Sequence, residues 1–365
     1  MERIEQPHCR IVCSHDATNA KLVETFESTV YRLRACELMA SWIEEHLLAA
    51  DASLVLTATG HRVVHGFTFT EPMRVDDALL AKLTELIPFA QEHLPLEIAL
   101  MRTFLRRHAD IAHVACFDTA FHQSMPHVAT MLPIPRRYFD AGVRRYGFHG
   151  LSYTYLMKEL ASANQASGRI VLCHLGNGAS MAAVLDGKCI DTTMSFSPTA
   201  GLVMGTRCGD IDPAVVMYMQ TNEHKSIDEI RRLLNHDSGM IGISGGLSSD
   251  MRDLLRLRDE EASEPARDAV AAFVYNARKF IAALASALGG LDTVVFSGGI
   301  GENSNIVRRE ICSQLGFLGV ELDDSLNDAN APRIDSQRKS VAVRIIRTDE
   351  ERTILDQVTV ETLRR

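Results

Sequence analysis

The chain has 365 residues, a formal net charge of −9 and an apolar share of 46%. That length is long for one core and sets two domains as the expectation, while the acidic balance and the lack of any dense Lys/Arg run argue against nucleic acid or an anionic membrane as the main partner. The eight cysteines are scattered without a CxxC pair, MERIEQPHCR puts charges where a signal peptide needs an apolar core, and about 18 unbroken apolar residues occur nowhere, so a cytoplasmic protein with reduced thiols is expected.

Taken in order, Arg10–Cys13 suggests a short strand, and Leu22, Phe26, Val30, Leu33, Leu38 and Trp42 recur at roughly helical spacing, predicting a helix from about Asn19 to Ala49. At most one strand then precedes the first helix. Leu54–Thr57 and Gly60–Gly66 read as extended, and strand alternation turns Arg62 away from the face shared by His61 and His65. The HxxxH spacing needs a helix, normally with an intervening glutamate, to bind zinc, and it has neither. A buried strand arginine needs a counter-charge or an anionic ligand, so Arg62 is either a substrate-carboxylate contact or a structural ion pair.

Val75–Arg106 is helix-like with a break at Leu94–Pro95, leaving His93 as a loop histidine in a cleft or a structural one. Ile111–Phe117 is a strand ending in Asp118. A carboxylate at a strand's end in an open α/β sheet is a candidate base or substrate-positioning group, and equally an ordinary turn or cap residue. His149 stands between Phe148 and Gly150, restrained beside aromatic surface.

The stretch Gly168–Pro213 organises the rest. Apolar runs flank His174-Leu175-Gly176-Asn177-Gly178 and Asp186-Gly187, and Asn-Gly and Asp-Gly between apolar runs signal antiparallel hairpins, because both turn positions tolerate positive φ. Bare backbone N–H groups at the first turn offer close approach to a phosphate, or form an ordinary tight turn. Arg207 then lies between glycine-flanked turns with Asp210 and Asp212 behind it. Five fixed donors on a constrained loop suit charge developing on a transferring phosphoryl group, although a salt-bridged loop has the same composition.

Pro213–Met219 and Ser226–Leu234 read as helices, and Ser238–Ser249 as a glycine-serine loop entering a helix at Asp250-Met251-Arg252, a nucleotide contact or a plain N-cap. A long amphipathic helix spans Pro265–Leu288. The strand Thr293–Phe296 runs into Ser297-Gly298-Gly299-Ile300-Gly301-Glu302-Asn303 and a helix from Ile306 to Leu315, an arrangement that presents backbone donors to phosphate or ribose. It is neither a Walker loop nor a full GxGxxG. Val341–Ile346 is the last strand, and Thr348 with Glu351 predicts a capping box, leaving Glu350 to hold a metal through water.

Eight segments together resemble the acetate kinase family, in the fold group of acetate and sugar kinases and actin: HRVVHG from His61, FDTAFHQSMP from Phe117, RRYGFHG from Arg144, HLGNGAS from His174, GLVMGTRCGDIDP from Gly201, SSDMRDL from Ser248, FSGGIGEN from Phe296 and TDEE from Thr348. The resemblance implies an α/β fold of two ribonuclease-H-like lobes with a cleft between them: residues 1–118 with 352–365 on the substrate side, and 119–351 for nucleotide binding and dimerisation. It implies reversible phosphoryl transfer between ATP and acetate, with magnesium or manganese, by a homodimer. Position by position, it implies Asp118, His149 and Arg207 as catalytic; Arg62 and His93 as acid-binding; His174 to Gly178, Asp250 to Arg252 and Gly299 to Asn303 as nucleotide contacts; and Glu350 as the metal-side carboxylate.

The sequence departs from the family pattern in places. Phe67, Leu94 and Asp349 stand where the family has glycine, asparagine and asparagine, and no asparagine-glycine-serine-rich, lysine-ended phosphate loop precedes Arg62. A start upstream of Met1 is the first expectation for that loop, and a short, impaired nucleotide-binding relative the second. Phe67 adds bulk beside the acid, leaving propionate or butyrate as alternative substrates.

Overall fold

The computed structural model describes residues 9–15, 20–26, 31–48, 53, 55–336 and 340–363. Asn19, Val30, Ala49 and Leu54, and the first eight residues, lie outside them. The chain divides into two compact units, Met1–Phe117 with Ile354–Arg365, and Asp118–Thr353. No described helix is long and apolar enough to cross a membrane.

In the first unit, β1 (Cys9–His15) pairs antiparallel with β2 (Ala20–Phe26), Val12 opposite Val23. This corrects the expectation of one long helix and at most one strand, since the helix covers only Arg32–Ile43. Leu22 and Phe26 fit a helical spacing by chance, while Val23 and Thr25 favour a strand once a partner is available, and the partner lies outside any local window.

A second sheet has the order β3-β5-β4. β3 (Ala58–Val63) runs parallel to β5 (Ala112–Phe117), and β4 (Met73–Arg74) antiparallel to it. Along β3, His61 and Val63 are buried and Arg62 is exposed. The expected dilemma of a buried Arg62 is therefore not forced by its position. The helix Leu94–Arg107 packs on β3. Pro95 sits in its first turn, where the missing N–H has no partner to lose, so the expected break is a helix start. Gly60 is required by close packing, because the space of a Cβ there is taken by Ile354 and Val358.

The second unit is built on five strands in the order β10-β9-β6-β7-β8. β6 (Arg169–Leu175), β7 (Ala179–Leu185) and β8 (Lys188–Thr192) form an antiparallel meander, whereas β9 (Thr293–Ser297) and β10 (Ala342–Ile345) extend it in parallel from β6. The helix Gly150–Ser162 sets Tyr153, Leu156 and Leu160 against Ile170, Leu172, Ala182, Val184 and Val295. The helix Glu264–Ala287 packs against β6, β7 and β8. Both surfaces of these strands are thus buried, which is why β6 and β7 read as continuous apolar runs. Within the expected loop 238–249 a short helix forms over Gly239–Ile243.

The last helix, Glu350–Leu363, corrects the expected capping box. Asp349 accepts the Arg352 N–H at 2.8 Å, while the Thr348 hydroxyl pairs with Ser152 and the Thr348 N–H donates to Glu302. Aspartate is the stronger cap, and Thr348 is committed to tertiary partners.

Candidate active site

Because β6 and β9 are parallel neighbours, with His174 opposite Ser297, the segments leaving them emerge at the same end of the sheet. That brings Gly176–Gly178 beside the loop 298–303: the position of a Cβ on Gly176 lies 3.8 Å from the Gly299 nitrogen. At Asp186 and Gly187 the φ values are +46° and +82°, as the turn signal predicts. Gly176, Asn177 and Gly178 have no positive φ, so the backbone there does not demand glycine.

These turns open onto a cavity of about 720 Å³, within the range of about 300–1,000 Å³ usual for small-molecule sites. Of the anticipated nucleotide contacts, Gly176, Asn177, Asp250, Met251, Arg252, Gly299, Ile300 and Asn303 line it. His174, Leu175, Gly178, Gly301 and Glu302 do not. Leu175 is wholly buried in the core, and the Glu302 carboxylate accepts the N–H groups of Gly298 at 2.8 Å and Thr348 at 3.0 Å, clasping the glycine loop. Asp250 caps its helix through the Arg252 N–H, and the Arg252 guanidinium holds the Asp250 carboxyl below its usual range.

Arg308 was not foreseen. It is wholly buried, and all its bonds go to neutral acceptors: Asn327 Oδ1 and its carbonyl, Asn330 Oδ1, and the carbonyls of Gly301 at 2.8 Å and Glu302 at 3.0 Å. Burial pushes its pKa down to about 10, so it stays charged at neutral pH. It fixes the glycine loop from below. The signal was helical phase: Arg308 shares an otherwise apolar face with Val307, Ile311 and Cys312.

Next to the cavity, Arg207 and His149 converge on Gly178. The space of its absent Cβ lies 3.5 Å from Arg207 Nη2 and 3.5 Å from His149 Nε2. Arg207 Nη1 donates to the Pro198 carbonyl at 3.0 Å, which aims the fork. His149 has φ +60°, a left-handed position uncommon for a side-chain-bearing residue and a recurrent form of strain at functional sites.

Several contacts hold that turn. Gly150 donates to the Asp118 carbonyl at 2.9 Å, which leaves no room for a Cβ, and Asp118 itself is almost fully buried. His122 donates from Nε2 to the Phe148 carbonyl at 3.0 Å and packs its ring on Gly147. Burial pushes its pKa down to about 4, so it is neutral. His149 also stacks on His174 at 4.3 Å between ring centroids, and its Nδ1 is 2.9 Å from Ser180 Oγ. His174 Nδ1 bonds Ser152 Oγ at 2.9 Å, placing that ring beneath His149 rather than in the cavity. Ser180, Ser152 and His122 were missed because nothing in their spacing marks them.

In the first unit, Arg62 is exposed on β3, and His93 directly precedes the helix Leu94–Arg107, its N–H donating to Ala90. Nearby, Phe67 takes φ +51°, donates its N–H to His65 Nδ1 at 3.1 Å and meets Phe89 edge-on at 5.3 Å. Glu350 stands in the first turn of the last helix. Among the described residues no group of three or more His, Cys, Asp or Glu side chains is arranged to hold a metal.

The chain is 42% identical over 349 residues to an acetate kinase of Methylocella silvestris, covering 94% of this chain and 84% of that protein. It is 40% identical over 365 residues to one of Rhodopseudomonas palustris, covering 97% and 87%. Among solved structures, a propionate kinase from Francisella tularensis matches with a TM-score of 0.89 at 34% identity, over 98% of this chain and 91% of that one. The acetate kinase of Porphyromonas gingivalis matches at 0.86 and 31%, with the same coverage. The fold is the two-domain α/β fold of the actin and sugar-kinase group. The model of the acetokinase family matches residues 1–356, and the chain belongs to that family.

Proposed function

We propose that this chain reversibly transfers the γ-phosphoryl group of ATP to acetate, giving acetyl phosphate and ADP, as a magnesium-using cytoplasmic enzyme that works as a homodimer. The observation that carries the reading is the convergence of Arg207, His149 and the bare Gly178 backbone beside a nucleotide-sized cavity. Its residue roles follow the family resemblance, with the nucleotide on Gly176, Asn177, Asp250–Arg252, Gly299, Ile300 and Asn303, and Arg62 and His93 binding the acid.

A carboxylate oxygen of the acid attacks the γ-phosphorus while the bond to the β–γ bridging oxygen breaks, and ADP leaves with that electron pair. An aliphatic carboxylate is already ionised at neutral pH, so no general base is needed, and Asp118 serves as a positioning group. The work left to the protein is alignment and neutralisation of charge. Arg207 supplies fixed donors to the equatorial oxygens, and His149 one more. Glu350 would hold a magnesium ion, which when bound would supply neutralisation of the phosphoryl charge.

The test is acyl phosphate formation, trapped as the hydroxamate, with ATP, magnesium and acetate, propionate or butyrate in turn. Acetate is expected to give the highest kcat/KM, although one methylene separates such substrates by only about 1–3 kcal/mol. ATP binding without transfer to any of the three acids would replace this reading with that of a nucleotide-binding relative.

A further inference from the structure

Tyr153, Ser180 and His149 form a line of hydrogen bonds that ends at Gly178 and Arg207. Tyr153 lies in the first turn of the helix Gly150–Ser162, Ser180 lies on β7, and both side chains are wholly buried. Tyr153 Oη bonds Ser180 Oγ, which in turn is 2.9 Å from His149 Nδ1.

The proton positions follow from counting donors and acceptors. A buried hydroxyl hydrogen without an acceptor costs about 1–3 kcal/mol, so the phenol proton points at Ser180. Ser180 has a single proton of its own, and it is left for His149 Nδ1. Nδ1 must then accept, which puts the ring proton of a neutral imidazole on Nε2, the atom that faces Gly178. In the other tautomer, or in the imidazolium, Nδ1–H would donate to Ser180, Ser180 to Tyr153, and the phenol hydrogen would be left in the core.

We infer that Tyr153 and Ser180 are positioning residues that hold His149 in its Nε2–H tautomer, so that a neutral imidazole donates a hydrogen bond to the transferring phosphoryl group. The inference rests on the phosphoryl-transfer reading of the site. His174 on β6 and Arg207 from its loop stand by this ring, the Asp118 carbonyl holds the following residue, Gly150, and Glu350 acts on Tyr153 from the last helix.

The experiment uses the full chain with ¹⁵N-labelled histidine and long-range proton–nitrogen correlation at neutral pH, the His149 ring being assigned by its loss in His149→Gln. The expected spectrum has an unprotonated Nδ1 and a protonated Nε2, and a protonated Nδ1 overturns the inference. In Tyr153→Phe the two tautomers should mix and kcat should fall roughly tenfold with KM for ATP and acetate unchanged. Ser180→Ala should do the same and Ser180→Thr, which keeps the hydroxyl, should recover much of the loss. Unchanged tautomer and kcat in Tyr153→Phe overturn the inference. If Tyr153→Phe does not fold, the wild-type spectrum still decides. An Nε2–H ring in a chain that transfers no phosphate would refute the proposed activity and leave the relay standing.

Discussion

The turns at the two ends of β7 carry the same kind of sequence signal and use it differently. At Asp186–Gly187 both residues have positive φ, and a Cβ on Gly187 would meet nothing within 4 Å, so glycine there serves the backbone alone. At Gly176–Gly178 the φ values are ordinary, and Gly178 faces Arg207 and His149. Glycine that the backbone does not require is explained by what stands in front of the missing side chain.

Four measurements bear on that contrast. The largest effect is expected for Arg207→Ala, with kcat falling by on the order of 10³ or more while ATP still binds in calorimetry. Unaltered turnover would strip the first turn of its assigned purpose. Gly178→Ala should lower kcat/KM by roughly 10- to 100-fold by crowding the transferring group. Its melting temperature should stay near wild type, because the new Cβ makes only ordinary contacts at 3.5 Å; a large loss of stability would make this turn structural like its neighbour.

The third prediction concerns what braces the functional turn. Burial lowers the pKa of His122, and of His61 in the first unit, from 6.5 to about 4. Above 6.5 neither state is protonated, and as pH falls toward 4 the unfolded chain takes up protons that the folded chain refuses. Stability is therefore lost on acidification through that window, by about 2 kcal/mol per histidine between pH 7 and pH 5. Urea unfolding at the two pH values reads this directly, and an unchanged midpoint would mean that both rings titrate normally. The smallest effect is Gly187→Ala, which should cost about 1 kcal/mol in stability through strain at positive φ and leave kcat intact.

Much of the fold was legible where the signal is local. The Asp-Gly turn, the strand ending at Asp118, the long helix after Ser263 and the glycine loop after β9 follow from turn chemistry, alternation and helix punctuation. β2 was not, because Val23 becomes a strand residue only when Val12 lies opposite it. The exposure of Arg62, the burial of Arg308 and the choice of Asp349 over Thr348 as the cap depend on which neighbours arrive from elsewhere. The candidate site divides in the same way: the segments bearing Arg207, His149 and Gly176–Gly178 stood out by residue type, whereas Ser180, Tyr153 and His122 look like ordinary core residues.

The sequence by itself determined the punctuation of this protein and the identity of its motif-bearing segments, since turns, caps and glycine freedom are set by a few consecutive residues. The tertiary structure alone decided that β9 inserts beside β6, bringing Gly299 against Gly176, and that Tyr153 and Ser180 line up behind His149. Strand order and buried hydrogen-bond partners join residues far apart along the chain, and their energies arise only when the core closes and removes water as the competing partner.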